Sequence, residues 1–255
     1  MALLRKKNNE HVLVDSSNLK ELVNIDFTKF ANGDISNSDT PTFDGVSMTA
    51  TVTGTPANFR IVNGSGLHMH TDTAVSCTLL KFNLQQSAIN LDVLKMFEII
   101  LVYKQVQWGT KTRTQMLLQS TIDHTGGSAA NGDAWWGYHR VSGTTVKTTV
   151  GQYQTSWGAG SDTNFSTTSS EYFRCGLLSF DDTLLGLADA DVNAVPSLDT
   201  VTRRIQYTLG ERGQTNTTTS VRSGHNFAFY NNCFSGCSGD HEFYVKRLII
   251  RGVQA

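Results

Sequence analysis

Charge is scarce in this chain. Of its 255 residues 17% are Asp, Glu, Lys or Arg, and 21 basic residues nearly cancel 22 acidic ones. A surface for nucleic acid or an anionic membrane needs a basic excess, so neither partner is expected. Glutamate is rarer still, six residues, while Thr, Ser, Asn and Gly are abundant. Thr fits a pleated surface and Ser, Asn and Gly fit turns, which favours strands over helices. No apolar run approaches the roughly 18–20 residues a bilayer-crossing helix needs, so no membrane insertion is expected. "MALLRKKNNEHVLVD" places its basic residues after a three-residue apolar stretch, the wrong order and length for a secretory signal. Synthesis in a cytoplasm is the expectation, with Cys77, Cys175, Cys233 and Cys237 reduced at that stage. A nucleophile elbow, a phosphate-binding loop, a dinucleotide-binding glycine pattern and His-Glu-x-x-His are all missing.

What is present is mostly strand and turn. Residues 1–24 are expected to form an N-terminal arm and short helix, basic at Arg5, Lys6 and Lys7, with Asn18 and Glu21 as a helix-start signal in "SSNLKELVN". "VSMTATVT" (46–53) alternates strictly, and "NFRIVNGSGLHMH" (58–70) reads as two short strands about an Asn-Gly turn. "LKMFEIILVYKQV" (94–106) is apolar on both faces at Ile99, Ile100, Leu101 and Val102, which places it in a sheet covered on both sides. Residues 142–170 suggest surface loops and hairpins, and 181–199 a helical turn or long loop. "TVTRRIQYTLG", "NFAFYNNCF" and "EFYVKRLIIRGV" close the chain as strands. About a dozen strands without a second composition point to one all-β domain over residues 25–255, a two-sheet antiparallel jelly-roll β-sandwich.

"DFTKFANGDI", then "NFRIVNGSGLHM", then the terminal "HEFYVKRLIIRG" together resemble the concanavalin A-like lectin/glucanase (laminin-G-like) superfamily, of the kind found in tailed-bacteriophage virion proteins. The resemblance rests on Asp26, Phe27, Phe30, Asn32 and Gly33, on Ile61, Val62, Asn63, Gly64 and Leu67, and on Phe243, Val245, Leu248 and Ile250. It implies a jelly roll whose last strand runs back beside the first ones. Asn32-Gly33 is expected to supply a turn with positive φ, and Phe27 and Phe30 to anchor the entry loop. Glucanases of the superfamily resemble one another in carrying carboxylates at alternate positions of one strand, on either side of the scissile bond. The matching strand here holds Glu98 followed by Ile100 and Val102, so the pair is missing and Glu98 reads as an edge or loop-proximal residue.

Three further groups carry candidate chemistry. His68, His70 and Asp72 in "HMHTD" share one face of a strand, where two imidazoles can hold a transition metal. Two ordinary histidines on an exposed face is the preferred alternative, and no cofactor is expected. Cys233 and Cys237, with His241, form at most half a metal site; a loop with two thiols or a later disulfide is preferred. Trp135, Trp136 and Tyr138 in "AWWGYHR" can form an aromatic platform for sugar or protein, or Trp135 and Trp136 can belong to an inter-sheet core. Trp135 joins the other two only if Gly137 marks a bulge or the segment is a loop.

These readings converge on a non-enzymatic structural component of a virus particle, a bacteriophage decoration, fibre or tail protein exposing a glycan-binding surface. The arm would contact other virion proteins, within a homo-oligomer, a trimer first, and host surface glycan would be a further partner. A carbohydrate-binding receptor-recognition domain is the alternative, and a glycan hydrolase or lyase the third reading. The expected location is the virion.

Overall fold

The computed structural model describes residues 2–7, 10–15, 19–53, 59–71, 77–83, 94–107, 110–119, 134–142, 145–152, 160–166, 173–180, 183–189, 203–208, 226–238 and 241–254; side chains are described over 19–50, 59–70, 97–102 and 242–253, and at 52, 104 and 106. Strands β1 (Ala2–Lys7) and β2 (Glu10–Asp15) pair antiparallel as a hairpin sheet of their own, with Arg5, Lys6 and Lys7 opposite Val12, His11 and Glu10. The helix expected next is instead strand β3 (Lys20–Asp26). Two turns of helix are too few to repay nucleation, whereas Val23 and Ile25 alternate with half-buried neighbours and enter the core. Because β3 pairs with the C-terminal strand, the sandwich takes in residues N-terminal to position 25.

A 3-10 turn, Phe27–Lys29, follows, and then β4 (Gly33–Asp34), β5 (Thr42–Phe43), β6 (Val46–Thr53), β7 (Phe59–Val62), β8 (Gly66–Thr71) and β9 (Cys77–Asn83). The central strands are β10 (Leu94–Gln107), β11 (Thr110–Gln119), β12 (Ala134–Ser142), β13 (Thr145–Gln152) and β14 (Gly160–Ser166). The chain closes with β15 (Phe173–Phe180), β16 (Thr183–Asp189), β17 (Arg203–Thr208), β18 (Asn226–Ser238) and β19 (His241–Gln254). The first large sheet runs β17-β16-β15-β10-β19-β8-β7-β4 with β3 also on β19, and the second runs β14-β13-β12-β11-β18-β9-β6-β5. All these pairings are antiparallel. Residues 142–170 supply the β13–β14 hairpin, as anticipated, while Thr183–Asp189 form strand β16 where a helical turn or long loop was expected.

Where side chains are described, one face of each sheet is apolar by simple alternation. Ile61, Leu67, Met69, Phe97, Ile99, Leu101, Phe243, Val245, Leu248 and Ile250 from the first sheet, with Met48, Ala50 and Val52 from the second, are buried. Phe27 links the layers, its ring edge-on to Phe43 of β5 at 5.3 Å, and Phe30 meets the same ring at 4.8 Å. Asn63 then clamps the entry loop to the β7–β8 turn. Its side-chain amide donates to the Phe30 and Thr28 carbonyls, and its backbone N–H donates to Asn32 Oδ1 at 2.7 Å. The segment resembling the superfamily is thus a packing device, and Phe27 and Phe30 anchor it as anticipated.

Positive φ falls elsewhere than anticipated. Gly33 pairs with Ile61 in β4, whereas Asp44 (φ 48°) and Gly45 (φ 80°) make the two-residue hairpin turn between β5 and β6. Gly66 (φ 112°) meets a steric demand as well, because a Cβ there would lie 2.2 Å from the Val245 carbonyl oxygen. Beside it β19 bulges, its register on β10 jumping between Val245 and Arg247.

Candidate functional site

The outer face of the first sheet carries the described chemistry. Strand β10 is covered on both sides, as its sequence predicts: Ile99 and Leu101 face the other sheet, and Ile100 and Val102 on the opposite face are 2% and 6% exposed. Glu98 shares that outer face and is 0% exposed. The edge or loop position expected for it is therefore wrong, since β10 lies between β15 and β19. Its charge is met by Arg251, directly opposite on β19, whose Nε donates to Glu98 Oε2 at 3.0 Å and whose Nη2 donates to the same oxygen. Glu21 of β3 stands opposite Arg251 from the other side. A Glu–Arg–Glu row thus crosses three adjacent strands.

Further along the same face a second polar row crosses five strands. Asp34, Arg60, His68, Tyr244 and Lys104 are successive register partners on β4, β7, β8, β19 and β10, and Glu242 lies opposite His70 beside them. His68 Nε2 and Glu242 Oε1 are 2.7 Å apart. The Tyr244 ring sits 4.7 Å from the His68 ring, with Lys104 Nζ 5.6 Å from the Tyr244 centroid on the neighbouring strand. His68 is 4% exposed, and its Nδ1 has no hydrogen-bond partner among the described residues. The exposed face expected for the histidines is thus corrected for His68, because the neighbouring Tyr244 and Glu242 side chains close over it.

Burial pushes the His68 imidazole below its ordinary value. Glu242 pulls it upward through hydrogen bond and charge, while Arg60 and His70 push it down. Burial raises the Tyr244 phenol, reinforced by the Glu242 charge and a hydrogen bond to Glu242, against an opposing pull from Arg60. Asp26, at the head of the 3-10 turn, is drawn two ways. Burial alone would raise its carboxyl, but the Thr28 hydroxyl at 2.6 Å, the Thr28 amide, Lys29 and Arg247 leave it lowered.

The other sequence candidates lie apart from these rows. His70 is half-buried, its ring 6.4 Å from that of His68, and Asp72 lies outside the described residues. Groups of three or more His, Cys, Asp or Glu side chains arranged to hold a metal are absent among the described residues. Cys233 and Cys237 are both in strand β18, not in a loop. Trp135, Trp136 and Tyr138 belong to β12 in the second sheet, opposite Leu117, Met116 and Thr114 of β11. Pairing to β11 and β13 runs without a shift across Gly137, so positions 136 and 138 share one face and 135 takes the other. The bulge at Gly137 on which Trp135 joining the other two depends is thus absent from this pairing; the side chains of these residues, and of Arg5, Lys6 and Lys7, lie outside the described ones. What sequence reasoning missed is Arg251, Glu242, Tyr244 and Arg60. Alternation in "HEFYVKRLIIRG" does put Glu242 and Tyr244 opposite Phe243 and Val245, but their partners become visible only through register.

Two antiparallel sheets closed by a C-terminal strand that returns to the first ones define a concanavalin A-like jelly roll, the fold the entry segment resembles. The non-specific endo-β-1,3(4)-glucanase SCLam from family GH16 is similar at TM-score 0.56 and 11% identity, covering 93% of this chain and 92% of that one. The catalytic domain of the endo-1,3-β-glucanase (laminarinase) from Thermotoga petrophila RKU-1 is similar at TM-score 0.55 and 11% identity, over 93% of this chain and 99% of that one. The CBM2 module of Lactobacillus casei BL23 phage J-1 evolved Dit is similar at 0.51 and 11%, over 93% and 97%. Against a botulinum neurotoxin type C chain the match spans only 48% of that chain, at TM-score 0.40. No protein-family model and no curated protein matches the chain.

These likenesses correct the expectation of a protein without catalysis. Endo-glucanases are built on this fold, so a missing carboxylate pair in one strand is no ground for excluding an enzyme. The physical reason is tertiary: register brings carboxylates of different strands near one another, as Glu98 and Glu21 stand opposite Arg251 from its two sides. Among the described residues no helix is long and apolar enough to cross a membrane.

Proposed function

We propose that this chain engages glycans through the outer face of its first sheet, as a jelly-roll component of a virus particle of bacteriophage decoration, fibre or tail type. One observation carries the reading: the row Asp34–Arg60–His68–Tyr244–Lys104 with Glu242 at its side. Sugar hydroxyls are recognised by fixed donors and acceptors. Glu242 is an acceptor held in place by His68, Arg60 and Lys104 are donors, and Tyr244 offers a phenol between them. That one solved structure of this fold is a phage Dit module fits a place on a particle. The basic β1–β2 hairpin, with Arg5, Lys6 and Lys7, would dock onto neighbouring virion proteins or further copies, a trimer first. Trp136 and Tyr138 would supply a secondary contact on the other sheet.

Hydrolysis is a second reading with its own observation. Glu98 of β10 and Glu21 of β3 stand opposite Arg251 from its two sides, and hydrolysis would need Arg251 to release the buried Glu98 so that both carboxyls reach one scissile bond. A glycan array probed with the chain, with Glu242→Ala and Trp136→Ala as separate variants, tests binding. Loss of a specific signal in a folded Glu242→Ala sample supports the first-sheet site, and retention there with loss in Trp136→Ala moves the site to β12. Reducing-sugar release from β-1,3-glucan, abolished in Glu98→Gln, would establish hydrolysis. A folded sample that retains no glycan and releases no sugar overturns both.

A further inference from the structure

Resting on that glycan-binding reading, we infer that His68 is the positioning residue of the site and couples it to pH, holding Glu242 in place only while its imidazole is neutral. The geometry dictates the tautomer. A carboxylate beside Nε2 at 2.7 Å requires Nε2 to carry the hydrogen, and neutral His68 then has a bare lone pair on Nδ1. That lone pair is tolerable in a buried place; an N–H there is not, because Nδ1 finds no acceptor among the described residues.

The groups around the ring act in the same sense. Arg60 on β7 and His70 on β8 oppose a further positive charge, and Lys104 on β10 lies over the far side of the Tyr244 ring. Among the described residues only Glu242 on β19 favours imidazolium, with Asp34 on β4 lying one strand beyond Arg60. Tyr244, on β19, is neutral and contributes its ring and a hydrogen bond to the same carboxylate. Taking up a proton therefore drives the ring out from beneath Tyr244. Glu242 and Tyr244 lose their common partner, and the acceptor end of the row loses its fixed geometry.

The full-length chain tests this with and without sugar. Without sugar, imidazole NMR and thermal midpoints are followed from pH 8 to pH 4.5 in the wild type, His68→Gln and Glu242→Gln. His68→Gln keeps a side-chain N–H donor but cannot titrate. The wild-type midpoint should fall relative to His68→Gln as pH drops below the ordinary histidine value. In Glu242→Gln the His68 resonance should titrate at still lower pH, since its one favourable charge is gone; that readout stands even if His68→Gln fails to fold. With laminarihexaose as probe, wild-type affinity should weaken by up to about tenfold per pH unit across the transition, the limit for one linked proton. For His68→Gln the ratio of affinities at pH 7.5 and pH 5 should fall towards one.

Identical pH profiles in wild type and His68→Gln, or a His68 resonance that titrates unmoved in Glu242→Gln, overturn the inference. A ligand-free transition with pH-independent laminarihexaose binding overturns the coupling to the site. Absence of laminarihexaose binding at every pH counts against the glycan reading, and the sugar-free experiments then decide the His68–Glu242 switch alone.

Discussion

Replacing Arg251 by methionine isolates the buried ion pair on the outer face of the first sheet. Glu98 is 0% exposed and Arg251 15%, so removing the guanidinium takes away the charge that meets a carboxylate buried from water. Removing one member of such a pair costs about 3–5 kcal/mol, most of it the uncompensated charge. At about 2–4 °C per kcal/mol for a chain of this size, the thermal midpoint should fall by roughly 6–20 °C. The double variant Glu98→Leu/Arg251→Met should recover most of that loss. Its new side chains meet Ile100 and Ile249, paired one row away and themselves buried, and exchanging a buried pair for apolar side chains is often neutral. The assay is a double-mutant cycle by urea denaturation, and the expected coupling is about 2–4 kcal/mol. Arg251→Met within about 1 kcal/mol of wild type, or strictly additive losses, would refute the argument, because Glu98 would then be solvated or neutralised some other way.

Gly66→Ala should destabilise by more than Gly45→Ala, the two compared by denaturant midpoint. Both backbones have positive φ, a strain of about 1–3 kcal/mol for a non-glycine residue, but only at Gly66 does a Cβ also strike the Val245 carbonyl, while at Gly45 nothing lies within 4 Å. Equal losses would mean that β19 yields at its bulge. Asp26→Asn should cost about 1 kcal/mol at pH 7 through the weakened cap on the 3-10 turn. Because the folded carboxyl lies below its ordinary 3.8, that contribution is complete above the unfolded value and disappears as pH falls through the folded one. Stability curves of wild type and variant should therefore converge once pH has fallen below the lowered carboxyl value; curves that stay parallel would rule the cap out as the cause.

Much of the architecture was legible locally. Alternation in "VSMTATVT", the continuous apolar centre of "FEIILV" and the "NFRIVNGSGLHMH" hairpin announce themselves because a strand's burial pattern is written with period two. Phe27 and Phe30 could be named as anchors because large aromatics in a polar loop have few other uses. The helix expected over "SSNLKELVN" failed where local propensity met a stronger tertiary demand. Asn18 and Glu21 offer a plausible helix start, but β19 needs a partner along its C-terminal half, and Val23 and Ile25 fit that edge.

The site was decided almost wholly by register. His68 is separated in sequence from Glu242 by 174 positions, and Glu98 from Arg251 by 153. Composition could say only that each was an isolated polar residue among apolar ones. An antiparallel sheet assigns cross-strand neighbours by pairing, and pairing depends on which edges the turns and the core leave available. By itself the sequence determined that the chain would be an all-β sandwich with an aromatic-anchored entry loop. Only the tertiary structure decided that Glu98 is a buried partner of Arg251, and that His68 lies beneath Tyr244 against Glu242. Periodicity tells a side chain which face to take, but it cannot tell it what will be standing on the next strand.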